Sequence, residues 1–183
     1  MVIKALFIFI GLILDAITAT VFKGDFSYQS LVLSTFFTLN FFIIQSLSMS
    51  KRQIWITGLV IAGLFEMMQA NSYMISFLVI PIFILLLNFL KANIGESNVT
   101  RTILCTVLIF CYQLLNYVFY RMFGVIGFSL TTFLQVEVVG NILLNFIVVA
   151  IVLYFEKRRV AYLNRQDLYK RQSEKILIMD REE

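Results

Sequence analysis

Two acids, Asp15 and Glu66, stand inside long apolar stretches of this 183-residue chain, and their type and placement invite a chemical reading first. A carboxylate at the bilayer centre costs about 3 kcal/mol on insertion scales, so it faces protein or water and often marks a proton relay, an ion path or a contact between helices. A relay needs a titratable or basic partner at the same depth. The chain has no histidine, and no lysine or arginine falls at membrane depth. Missing histidine also removes the commonest general base and metal ligand. Cys105 and Cys111, six apart in one apolar run, point in different directions at helical pitch. They read as small apolar fillers, with no disulfide or metal role. No nucleophile–base pair, phosphate-cradling glycine loop or metal-ligand cluster is visible. The expectation is a protein that is not an enzyme and holds no cofactor or metal.

The surroundings of the two acids favour packing. Gly58, Ala62, Glu66 and Ala70 recur every four residues, with Gly63 and Gln69 on the flanks. Such a small-plus-polar stripe suits close helix contact with hydrogen bonds across it. Asp15 has Gly11 four residues before it and Thr18 three after. Neutral polar residues mark one side of other stretches: Ser34, Thr38 and Gln45; Tyr112, Gln113, Asn116 and Tyr120; and, after Gly140, Asn141 and Asn145, which share a helix face. Together they predict a polar internal seam. A seam of this kind can join helices, line a ligand cavity or meet another membrane protein.

The elements that must position these groups are membrane helices. Six mostly apolar stretches cover 5–22, 31–48, 54–70, 72–90, 102–123 and 138–155. About 20 helical residues cross a hydrocarbon core of about 30 Å. The runs are continuously apolar, which argues for helices over barrel strands. The composition, 60% hydrophobic and 14% charged with one proline, exceeds what a soluble domain of this length can bury. The fold class expected is an all-α integral membrane bundle of six transmembrane helices over 1–155, followed by a basic cytoplasmic tail over 156–183. Gln69, Asn71, Ser72 and Tyr73 form the turn between the third and fourth spans, and Pro81 lies within the fourth, where neighbouring helices make a kink tolerable.

Charge sets the expected orientation. With the N-terminus inside, Lys4, Lys51, Arg52, Lys91, Arg101 and the eight basic residues of the tail share the cytoplasmic side, 13 of the 15 in all; only Lys23 and Arg121 lie outside. Both termini are then cytoplasmic. Asp15 interrupts the first apolar run and no small-residue cleavage site follows, so this run is expected to be a retained helix. Asn98-Val99-Thr100 matches a glycosylation sequon but falls on the cytoplasmic side. The net charge of +4 lies at membrane edges and gives no reason to expect nucleic-acid binding. The tail opens Glu156-Lys157-Arg158-Arg159, which suits anionic lipid headgroups, allows a weak helical continuation of the sixth span, and ends near an apolar run, Ile176-Leu177-Ile178-Met179. The outer gap 121–137 is apolar and aromatic, with Phe128 and Phe133 as candidate partner contacts.

The stretch Glu137-Val138-Val139-Gly140-Asn141-Ile142-Leu143-Leu144-Asn145 resembles the last-helix signature of the MreD family, the rod shape-determining membrane proteins of bacteria. Asn145 matches the asparagine of that signature, and Gly140 stands where a proline is usual. Gly58, Gly63, Leu64 and Glu66 look like the family's glycine-rich stretch, which ends in an aspartate where this chain has Glu66 and has a further glycine that this chain lacks. Length, span number, the early Asp15 and the basic tail fit across the whole chain. The resemblance implies a non-enzymatic scaffold of the cell-wall elongation machinery in the bacterial cytoplasmic membrane. Its implied partners are an MreC-like protein, with MreB and peptidoglycan synthases. It also implies a fold similar to the six-helix substrate-binding subunits of energy-coupling-factor vitamin transporters, which supply the alternative function. Those subunits carry alanines four apart in the first helix, whereas this chain has Ala16 and Ala19, three apart. Their outer loops are also richer in polar residues.

Overall fold

The computed structural model describes residues 2–21, 34–68, 74–92 and 97–182. Every regular element among them is helical: α1 (Val2–Val21), α2 (Phe37–Ser46), α3 (Lys51–Met68), α4 (Ile75–Lys91), α5 (Asn98–Met122), α6 (Leu130–Phe133) and α7 (Val139–Glu182). A π-helical turn, Leu134–Val138, joins α6 to α7. Three helices contain stretches long and apolar enough to cross a membrane: Lys4–Val21, Asn98–Met122 and Val139–Gln166. The shorter α2 and α4 are also apolar.

Helix ends follow local chemistry. Ser50 and Gln53 form a reciprocal cap at the start of α3: the Ser50 N–H donates to Gln53 Oε1 at 3.1 Å and the Gln53 N–H to Ser50 Oγ at 3.4 Å. Ser97 Oγ accepts from the Val99 N–H at the start of α5 (3.3 Å). At its end, Gly124 takes a positive φ of 69°. There the Val125 N–H reaches Tyr120 O (2.9 Å) and the Gly124 N–H reaches Arg121 O (3.1 Å). This is the paired closure that a left-handed glycine permits. Ser129 starts α6 in the same way as Ser97 starts α5, accepting from the Thr132 N–H.

The centre of the molecule is α2. All residues from Thr38 to Ser46 are buried. The helix packs against α1, α5 and α7; Phe42 stacks on Phe83 of α4, ring centres 6.5 Å apart. Tyr112 of α5 meets both Phe36 and Phe83 edge-on, at 5.9 Å each. Leu39, Ile43, Ile84, Leu87 and Leu108 fill the rest of this core with no exposed surface. Two glycines set the close approaches. A Cβ on Gly11 would come within 3.0 Å of the Thr38 backbone, and one on Gly58 within 2.3 Å of Ile84 Cδ1. Ala62, one turn on from Gly58, is fully buried.

The helical extent of the second span needs correction, and the helical continuation expected after the sixth runs further than its sequence suggests. The second span, drawn over 31–48, is helical only from Phe37 to Ser46, with 34–36 non-helical and 31–33 outside the described residues. At ten residues it is about 15 Å long, half a hydrocarbon thickness. The helix starts late because side chains of other helices take the backbone N–H groups around residues 34–38. The sixth span, drawn over 138–155, belongs to a helix that runs on without a break to Glu182. No Pro or Gly stands after Gly140 to stop it. Its 44 residues extend about 66 Å. The turn at 69–73, and Ala70 and Gln69 with it, lie outside the described residues.

Candidate functional site

A short helix buried on all sides cannot leave its terminal N–H and C=O groups to lipid, because each unmade hydrogen bond there is costly. Its ends must be met by protein, and the polar residues inside the bundle do this. Asp15 of α1 takes the N-terminus of α2. Its Oδ1 accepts from the Phe37 N–H (2.8 Å) and Thr35 Oγ1 (3.0 Å), and its Oδ2 accepts from the Thr38 N–H (2.9 Å). The residue at the N-cap position, Phe36, offers no side-chain cap; Asp15 supplies it from the neighbouring helix, with the negative charge at the positive end of the helix dipole. Gly11 permits the approach, one turn before Asp15. Thr18 and Thr35 hydroxyls meet beside the carboxylate.

Glu66 repeats the device. Its Oε1 accepts from the Ser76 N–H at 2.6 Å, in the first turn of α4. The residue before α4, Met74, has φ 57° and no side-chain cap. The two acids therefore serve equivalent roles in successive helix pairs: α1 caps α2, and α3 caps α4.

At the opposite end of α2, two lysines bond its last carbonyl and the turn that follows. Lys91 Nζ donates to Ser46 O (2.5 Å) and Met49 O (3.0 Å). Lys4 Nζ donates to Ser48 O (3.2 Å) and Ser48 Oγ (2.7 Å). Cations at a helix C-terminus match its dipole as the carboxylate matches the N-terminus. The sequence reading used Lys4 and Lys91 only for orientation. The missed signal was their position, each at the edge of an apolar helix that neighbours a very short one.

The asparagines of α7 hold the remaining side. Asn141 Oδ1 accepts from the Ser34 N–H (2.7 Å). Asn145 Oδ1 accepts from Asn40 Nδ2 (3.2 Å), while its own Nδ2 donates to Asn141 O (2.7 Å). Both are buried, and Gly140 beside them is half-buried. Asn116 does not join this group; its Nδ2 turns back to Tyr112 O on its own helix (3.0 Å). Within the core Thr38 Oγ1, Asn40 Oδ1 and both amide ends of Gln45 and Gln113 make no hydrogen bond to protein.

Phe133 is not available to a partner. It is 2% exposed and stacks on Tyr117, ring centres 4.6 Å apart. Phe128 packs against the same ring at 5.8 Å, its carbonyl accepting from Tyr117 OH (3.1 Å). Arg121 donates to the same hydroxyl at 2.6 Å. The reason is amphipathic placement: the capped turn at Ser129 aims Phe133 back at α5. Met122, Phe123, Val125 and Leu130 carry the exposed apolar surface of this end instead.

The arrangement makes hydrogen bonds between helices and presents no aligned nucleophile and base among the described residues. Cys105 is buried and Cys111 half-buried, both as free thiols. Set against family models, curated proteins and solved structures, the chain matches none of them.

Proposed function

We propose that this chain is a non-enzymatic scaffold of the bacterial cell-wall elongation machinery, of MreD type, which crosses the cytoplasmic membrane six times and holds an MreC-like partner. The observation that carries this reading is the use made of the polar groups behind the resemblance. Asp15, Glu66, Asn141 and Asn145 all bond to the termini or side chains of other helices. Groups engaged in this way build a fixed framework, as a scaffold requires. A six-span topology with both termini inside agrees with the meeting of Lys4, the turn after α2 and Lys91 at one end, which such a topology places on one side. MreB and peptidoglycan synthases would act through the MreC-like protein.

The exposed apolar surface at Met122, Phe123, Val125 and Leu130 offers contact to a membrane-anchored partner on the outer side. The test is extraction of the tagged chain in mild detergent, with depletion of the gene in parallel. A stable complex with the MreC-like protein and rounded cells on depletion are the expected results. A small molecule bound one to one, with normal cell shape on depletion, would replace this reading with the vitamin-transporter subunit.

A further inference from the structure

Three cations from three helices meet where α2 ends. The ammonium groups of Lys4 and Lys91 both sit on the turn that follows α2, through Ser46, Ser48 and Met49. Lys4 lies within electrostatic reach of Lys91, Arg159 and Glu156. Arg159, 8% exposed on α7, donates from Nε to Glu156 Oε2 at 2.8 Å and from an Nη to Glu156 Oε1. Glu156 thus compensates Arg159. Among the described residues neither lysine forms an ion pair, so a net charge of two remains on half-buried ammonium groups. Each has used two of its three N–H donors on the turn.

Depth fits a headgroup. Arg159 is 20 residues beyond Val139 on one continuous helix, about 30 Å along it and thus one hydrocarbon thickness away. Phe155, one turn before Arg159 on the same face, is exposed. Its ring supplies apolar surface on the lipid side of the cluster.

We infer that Lys4, Lys91 and Arg159 form a site between helices for the phosphate of an anionic glycerophospholipid. The free N–H of each lysine and the remaining guanidinium donors of Arg159 point to a phosphate oxygen as acceptor. An acyl chain then lies along Phe155, which free phosphate would not use. The site takes only Arg159 from the basic run that opens the tail and adds Lys4 and Lys91 from two other helices, and it rests only on the chain lying in a bilayer, whatever its partner.

The test uses the full chain, delipidated in detergent and returned to nanodiscs of phosphatidylcholine containing phosphatidylglycerol. Native mass spectrometry then reads the lipid that stays bound. One phosphatidylglycerol per wild-type chain is expected, with affinity reduced about 30-fold in Lys4→Gln/Lys91→Gln. The tail variant Lys157→Gln/Arg165→Gln should match wild type. Because Lys91→Gln also removes a cap from α2, the wild-type chain carries an independent arm: retained lipid should be phosphatidylglycerol over phosphatidylcholine and should survive a millimolar excess of inorganic phosphate. Equal retention of the two lipids by wild type would overturn the site. So would displacement by inorganic phosphate alone, or a loss in the tail variant as large as in the lysine variant.

Discussion

Asp15 shows how an acid inside a membrane protein can be held by the end of a neighbouring helix. Its two oxygens meet three donors at the start of a helix that has no cap of its own. Removing it leaves two backbone N–H groups unpaired beside the core. Asp15→Ala is therefore expected to cost at least about 2 kcal/mol, with Asp15→Asn in between because an amide oxygen still accepts one of the bonds. Thermal unfolding of the detergent-purified protein, followed by size exclusion, measures this; an Asp15→Ala protein as stable as wild type would show that the cap is dispensable. Glu66→Gln should be mild, since the amide oxygen can still accept from the Ser76 N–H. A large loss of folded protein in that variant would mean that the charge itself matters to α4.

At the scale of elements, close packing of α3 on α4 depends on Gly58. A Cβ there meets Ile84, whose side chain is fully buried and has nowhere to go. Gly58→Ala should destabilise by about 1–3 kcal/mol. Adding Ile84→Val removes the Cδ1 atom in the way and should recover part of the loss. Full additivity of the two substitutions in the same unfolding assay would show that they do not touch. Helix α7 makes a different prediction. Spin labels at Phe146 and Asn164 are 18 residues apart on one unbroken helix, so their backbones should be separated by about 27 Å. A markedly shorter distance by pulsed electron resonance would mean that the chain bends back near Glu156.

For the whole molecule, the question is how many times the chain crosses the bilayer. Three helices have the length and apolarity on their own. The helical part of α2 covers about half a hydrocarbon thickness, and side chains of its neighbours meet its ends. A reporter active only in the cytoplasm should give signal when fused at the C-terminus and none when placed near Asp25. Activity at Asp25 would overturn the proposed orientation and, with it, the placement of Lys4 and Lys91 on the inner side.

Read alone, the sequence determined that the chain is helical and apolar on the scale of a membrane, because continuous runs of Leu, Ile, Val and Phe need no tertiary partner to be recognised. It also marked Asp15, Glu66, Asn141 and Asn145 as polar groups turned toward protein, since lipid suits none of them. What each one bonds to was decided only by the tertiary structure. Asp15 meets Thr38 across 23 residues, Asn40 meets Asn145 across 105, and Lys91 meets Ser46 across 45. Hydropathy sees the environment of a segment and is blind to which helix end lies beside which side chain. For the same reason it drew α2 as a full span, while a carboxylate and an asparagine from other helices set where that helix begins.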